Sequence, residues 1–280
     1  MDEVNPGGSL GDFIRPEFKS LSDLNNFLKT SAGDLYTSNF FFLDKIRDSY
    51  IADLGCGYGY NTIALSPYVK KIDAFDVDKD AVAFANNKLK QLLQDQNCCF
   101  TVFDGYNTMK DSMSYDAVLS FEVIEHVPLP KLYLNEAFRI LKNGGKIYMS
   151  TPNGLIANKN NCIIKYHARE HLTEYFPLEI QNMLSQAGFV VDQFYAKLNK
   201  SSDFKRNPNK NALRRLKIKV ICTLKTNYYT YKLLKKIFGV FKRKHRDSDN
   251  YENYTFKKVQ PSEITAQNCD VILVEARKVG

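Results

Sequence analysis

The chain has 280 residues, 44% of them hydrophobic, and a formal net charge of +8 at pH 7. That suffices for one large α/β core with additions, and the sequence contains neither a run of transmembrane length nor signs of a second independent domain. The opening MDEVNPGGSLGDF is acidic and polar, unlike a signal peptide, so a cytoplasmic protein is expected. The six cysteines include no CxxC pair and read as reduced packing residues, which argues against a disulfide frame or a zinc site.

Residues 1–48 read as a helical cover, with one helix from about Ser22 and another ending near Ile46. Tyr36, Phe40 and Phe41 are among its aromatic residues and are suited to lining a ligand or to core packing. The stretch IADLGCGYGYN, Ile51 to Asn61, then runs from apolar residues directly into Gly55, Gly57 and Gly59, the pattern of a strand breaking into a ligand cradle. A dinucleotide loop needs a small residue where Tyr60 stands, so the motif is (D/E)xGxGxG with Asp53 at its head. An acid placed to meet an ammonium group, in a loop with no phosphate to bind, suits a nucleoside that carries an amino acid. S-adenosylmethionine is such a molecule.

The run Ile72 to Val77 reads as the second strand. Asp76 near its end, with Val77 beside it, is placed to accept the ribose hydroxyls. Cys99 to Phe103 is the third strand and ends in Asp104 and Gly105; Asp116 to Phe121 is the fourth. Lys131 to Leu141 has helical spacing, and Gly144 and Gly145 mark a stop before a strand from Lys146 to Thr151. Pro152 to Glu170 reads as a loop over the carboxyl edge of the sheet, where the glycine loop lies. A sixth strand is expected near Val190 to Ala196, and Cys269 to Lys278 supplies the last.

EVIEHV, then a helix, then LKNGG, STPN and HLTEYFPLEIQNMLSQAGF resemble the ubiquinone-biosynthesis O-methyltransferase group of class I S-adenosylmethionine-dependent methyltransferases. The resemblance covers about residues 35–198 and 268–278. It implies a Rossmann-like α/β fold, a seven-stranded sheet with helices on both faces. It also implies S-adenosylmethionine held by Asp53, Gly55, Gly57, Gly59, Asp76, Val77, Asp104, Gly105 and Glu122, with Asp104 and Gly105 at the adenine amino group. The domain plan is then a cover over 1–48, a cofactor-binding core over 49–198, a basic amphipathic insertion or lid over 199–267, and a last core strand over 268–280.

Glu122, Glu125 and His126 lie just past the fourth strand, at the sheet edge where open α/β sheets bind ligands, and share a face if the segment is helical. Two carboxylates and an imidazole so placed suit a divalent ion, Mg²⁺ or Mn²⁺, that would orient and acidify an acceptor hydroxyl. The resemblance implies the same metal role. Through the small-RNA 2′-O-methyltransferases, which share an EVIEH segment, it adds His171 as a later ligand, with His167 as substitute. Without a metal, Glu122 borders the cofactor, Glu125 caps or solvates a helix, and His126 is the best general base.

Charge is uneven. Residues 200–246 carry sixteen Lys or Arg and one acid, a net +15 against the chain's +8, so the remainder carries −7. Apolar residues recur there every three or four positions, from Leu213 to Phe241, the spacing of amphipathic helices. Such a segment suits an anionic membrane surface, RNA, or a lid packed on the acidic remainder. The leading expectation is O-methylation of a hydroxylated small molecule, quinone-like, sugar or lipid-linked glycan, by an enzyme that can sit on the inner membrane face. RNA 2′-O-methylation is the second reading, and a cofactor-binding partner protein without catalysis the third.

Overall fold

The computed structural model describes residues 20, 22–24, 40–92, 97–155, 171–199, 254–264, 269 and 271–280. Tyr36, His167, most of the expected N-terminal helix and the basic segment 200–246 lie outside the described residues.

Short apolar runs build a mixed sheet: β1 (Tyr50–Leu54), β2 (Lys71–Asp76), β3 (Cys98–Val102), β4 (Tyr115–Phe121), β5 (Leu141–Pro152), β6 (Phe189–Asn199), β7 (Tyr254–Val259) and β8 (Val271–Lys278). Its order is β3-β2-β1-β4-β5-β8-β6-β7. The first five strands in this order run parallel; β8, β6 and β7 each pair antiparallel with the strand before them. In β1 and β4 almost every residue is buried, because helices cover both faces and leave no solvent side for alternation.

Among the described residues, four α-helices supply the covers: α1 (Tyr60–Leu65), α2 (Lys79–Phe84), α3 (Pro130–Ile140) and α4 (Pro177–Gln186). Ile63 and Leu65 of α1 and Val82 of α2 join Phe42, Ile46 and Tyr148 in one core, and Phe42 stacks on Tyr148 at 4.5 Å. Tyr133, Leu134 and Ala137 of α3 join Ile180 and Leu184 of α4 in the other. Fully burying a side chain such as Phe42 stabilises by about 1.5–3 kcal/mol. The expected α/β architecture with helices on both faces is present.

Two details differ from the sequence reading. The sheet has eight strands among the described residues, not seven. The addition, β7, is an edge strand whose sequence YTFKKV carries Lys257 and Lys258 and so offers no apolar run to betray it. Gly144 and Gly145 do not separate a helix from a strand but lie within β5, where pairing jumps from Tyr115↔Leu141 to Ala117↔Lys146 across a bulge. A Cβ on Gly145 would stand 2.9 Å from the Lys142 carbonyl oxygen.

Because β6 is antiparallel to β8 and β8 to β5, β6 runs with the parallel strands and ends at their carboxyl edge. Its last residue, Asn199, pairs with Tyr254, the first of β7. Residues 200–253 are therefore joined to the sheet at the same edge as the glycine loop.

Candidate functional site

β1 ends at Leu54 and the chain turns through Gly55, Gly57 and Gly59, all at positive φ, into α1. At Gly57 an added Cβ would meet nothing within 4 Å, so the loop backbone there borders open space. At Gly55 the same atom would stand 2.5 Å from Val123, so the loop packs directly on the segment that follows β4.

Asp53 is 3% exposed, and its Oδ2 accepts from Thr62 Oγ1 at 2.7 Å. Burial pushes its carboxyl up to about 6, against the lowering effect of the Thr62 bond. Asp76, at the end of β2, accepts from the Gly57 N–H at 2.6 Å and from the Asp78 N–H at 2.9 Å, and so ties the glycine loop to its own strand. Burial raises its pKa, while these backbone bonds oppose the rise. Four lone-pair sites on a carboxylate leave it room for a ribose hydroxyl.

Asp104 follows β3, where its Oδ1 accepts from the Tyr106 and Asn107 N–H groups, both at 2.7 Å. Val77 is 61% exposed, and a Cβ on Gly105 would come within 3.5 Å of it, so an apolar side chain stands between the ends of β2 and β3. Open space at Gly57, a buried acid at Asp53 and this exposed valine fit a nucleoside with an amino-acid tail.

Beyond β4 the chain does not continue as a helix. Glu122 takes φ 56°, and a short turn over Ile124–His126 follows, closed by the His126 N–H on the Val123 carbonyl. The Glu122 N–H donates to the Ser150 carbonyl at 3.0 Å, and its carboxylate accepts from Ser150 Oγ at 2.8 Å. Glu125 is fully buried; Thr151 Oγ1 donates to its Oε2 at 3.0 Å, while Oε1 has no hydrogen-bond partner among the described residues. Burial first, and then the Glu122 charge, hold its pKa well above the usual carboxylate range.

The Glu125 carbonyl accepts from the Leu172 and Thr173 N–H groups, at 2.8 and 3.2 Å, and this brings His171 beside the turn. The His126 and His171 rings meet edge to face at 4.9 Å, and His126 Nε2 lies 4.0 Å from Glu125 Oε1. Ligand atoms of Glu125, His126 and His171 all lie within 4.8 Å of one another. His171, the later ligand that the resemblance implies, belongs to this group and Glu122 does not, because the left-handed residue at 122 breaks the helical face that the spacing assumed.

Residues 52–149 match a family described as a methyltransferase domain. The chain is 31% identical over 112 residues to the mitochondrial ubiquinone biosynthesis O-methyltransferase of Dictyostelium discoideum, and 28% identical over 108 residues to the ubiquinone biosynthesis O-methyltransferase of Coxiella burnetii. These alignments cover 37% and 39% of this chain, and 35% and 45% of the relatives. Its core is a class I S-adenosylmethionine-dependent methyltransferase domain. Among solved structures, the YcgJ protein of Bacillus subtilis has a TM-score of 0.54 at 18% identity, over 87% of this chain and 98% of that one. The cyclase SpnF has a TM-score of 0.57 at 14% identity, over 89% and 83%. Likeness at such identities concerns the fold alone.

In this methyltransferase domain Asp53 lies in β1, Asp76 ends β2 and Asp104 follows β3, on three neighbouring strands as their spacing in the chain suggested. Four polar residues of the site escaped the sequence reading: Thr62, Ser150, Thr151 and Glu174. Only Ser150 and Thr151 had a signal, the hydroxyl pair in STPN beside the EVIEH strand.

Proposed function

We propose that the protein transfers the methyl group of S-adenosylmethionine to a hydroxyl oxygen, aided by a divalent cation on Glu125, His126 and His171. The observation that carries this reading is Glu125 Oε1, an acceptor buried without a hydrogen-bond partner among the described residues and grouped with two imidazoles. Leaving such an acceptor unmet costs about 1–3 kcal/mol, and a cation would meet it. S-adenosylmethionine, when bound, supplies an electrophilic methyl on a sulfonium. A cation held by Glu125, His126 and His171 would make a coordinated hydroxyl more acidic. One carboxylate and two imidazoles are a softer set than the two acids and one imidazole read from sequence, and this favours Mn²⁺ over Mg²⁺.

The chain's own residues do the rest. Asp53, the Gly55–Gly59 loop, Asp76, Val77, Asp104 and Gly105 hold and orient the donor, and Glu122 borders it. Thr151 fixes Glu125, and the Glu125 carbonyl fixes the position of His171. Without the cation, His126 Nε2 would be free to take a proton from an acceptor. Positioning carries most of such a transfer.

The acceptor we favour is a hydroxylated small molecule, quinone-like, sugar or lipid-linked, the first in keeping with the ubiquinone biosynthesis O-methyltransferases among the relatives. No helix among the described residues is long and apolar enough to cross a membrane. Attachment to an anionic surface would instead come from residues 200–246, joined to the sheet at the site's edge. That same basic segment supports the second reading, the 2′-hydroxyl of RNA.

The test is methyl transfer to panels of quinols, glycolipids and RNA, with chelator and with Mn²⁺ or Mg²⁺ added back. His171→Ala should lower turnover at least about 100-fold, while S-adenosylhomocysteine affinity stays within about twofold. Turnover untouched by chelator would overturn the metal reading.

A further inference from the structure

We infer that Glu174 is the positioning residue that fixes the tautomer of His171, an inference that rests on the reading of Glu125, His126 and His171 as a ligand set. His171 Nδ1 lies 2.8 Å from Glu174 Oε1, and the Glu174 side chain is 1% exposed. An ionised carboxylate only accepts, so the proton between the two groups belongs to Nδ1. The neutral ring then keeps its free lone pair on Nε2, the nitrogen left for the cluster with Glu125 and His126.

The backbone gives Glu174 this place from two sides. The Glu125 carbonyl holds the Leu172 and Thr173 N–H groups, and the Gly154 N–H, just past β5, donates to the Tyr175 carbonyl at 3.0 Å. Gly154 permits that approach: a Cβ there would stand 2.8 Å from the Glu174 carbonyl oxygen. Residues 172–175 are thus held between the turn after β4 and the end of β5. Ring and carboxylate are carried on one clamped segment.

A helix-capping role does not account for Glu174. The N-terminus of α4 already has its acid, since Glu179 accepts from the Phe176 N–H at 2.9 Å. Burying a carboxylate is costly unless its hydrogen bonds are met, and His171 is the group that meets Oε1. A carboxylate behind a ligating imidazole orients the ring and raises its basicity, and its loss typically weakens metal binding about 10–100-fold.

The experiment uses the full chain, labelled with ¹⁵N-histidine, with the His171 signals assigned by their absence in His171→Gln. In the metal-free wild type, His171 should be the Nδ1–H tautomer, and in Glu174→Ala the balance should move toward Nε2–H. Calorimetry should show Mn²⁺ binding weakened about 10–100-fold in Glu174→Ala and restored within about threefold in Glu174→Gln, whose amide oxygen still accepts. S-adenosylhomocysteine affinity should stay unchanged in both. A wild type with His171 as Nε2–H overturns the inference without any variant, and so does a Glu174→Ala protein with unaltered tautomer and Mn²⁺ affinity. If the wild type takes up no Mn²⁺, the ligand-set reading fails, and the tautomer shift alone decides the role of Glu174.

Discussion

At the scale of single residues, Asp53 shows a site placed ahead of stability. Its carboxyl is buried with Thr62 Oγ1 as partner, and burial raises its pKa to about 6. The sign follows from linkage: the folded state holds this proton more tightly than the unfolded chain, whose pKa is about 3.9. The Asp53 contribution to stability therefore falls as pH rises from about 4 to about 6, and levels off above. Asp53→Asn keeps an acceptor for Thr62 and removes the charge. The variant should gain Tm relative to wild type at pH 7 but not at pH 4, by thermal melts without ligand, and lose at least about tenfold in S-adenosylhomocysteine affinity. Equal Tm differences at both pH values would refute the account. Asp53 was legible because a strand and three glycines fix its address. Glu174 was not, because its partner is fixed by a backbone bond across nearly fifty residues of chain.

Between residue and element lies the contact of the glycine loop with the turn after β4. A methyl group on Gly55 would meet Val123 at 2.5 Å, and φ of +86° disfavours any side chain. Strain in that backbone region costs about 1–2 kcal/mol, and overpacking adds about 1–3. Gly55→Ala should therefore lose about 2–5 kcal/mol in denaturant unfolding. It should also weaken S-adenosylhomocysteine and Mn²⁺ together, because Val123 leads into the turn that carries Glu125. In Gly55→Ala with Val123→Ala the overpacking part should return, giving a favourable coupling of about 1–3 kcal/mol. Strict additivity would show that the two elements are independent.

The same elements explain where sequence reading stopped. Strands β1, β2 and β4 announce themselves because both faces are buried, and each acid at a strand end inherits its place from the strand. The segment after β4 misleads: EVIEH has helical spacing, yet Glu122 sits at positive φ with its N–H bound to Ser150. Long-range pairing overrode local pattern there. In β5, Lys142–Gly145 is a bulge rather than a helix stop because Tyr115 and Ala117 of the neighbouring strand set the register.

At the scale of the whole molecule, the point of attachment of the basic segment decides what its charge can do. Residues 200–253 hold sixteen Lys and Arg with four acids, a net +12 that leaves −4 for the rest of the chain. Asn199 and Tyr254 are paired across β6 and β7 at the carboxyl edge, so a two-residue Asn-Gly turn can replace the whole segment without disturbing the sheet. The shortened protein should keep its melting profile and its S-adenosylhomocysteine affinity. Wild type should bind vesicles of anionic phospholipid with an affinity that falls with salt, since each basic residue contributes about 1 kcal/mol at low ionic strength, and the shortened protein should not bind. Binding that survives the deletion would reject a membrane role for the segment. Loss of RNA binding with a steep salt slope, and no vesicle binding in either protein, would move the acceptor from lipid-linked molecules to RNA. If neither surface binds while cofactor affinity drops on shortening, the segment acts on the catalytic domain itself, its cations paired with the acidic remainder across the edge that both share.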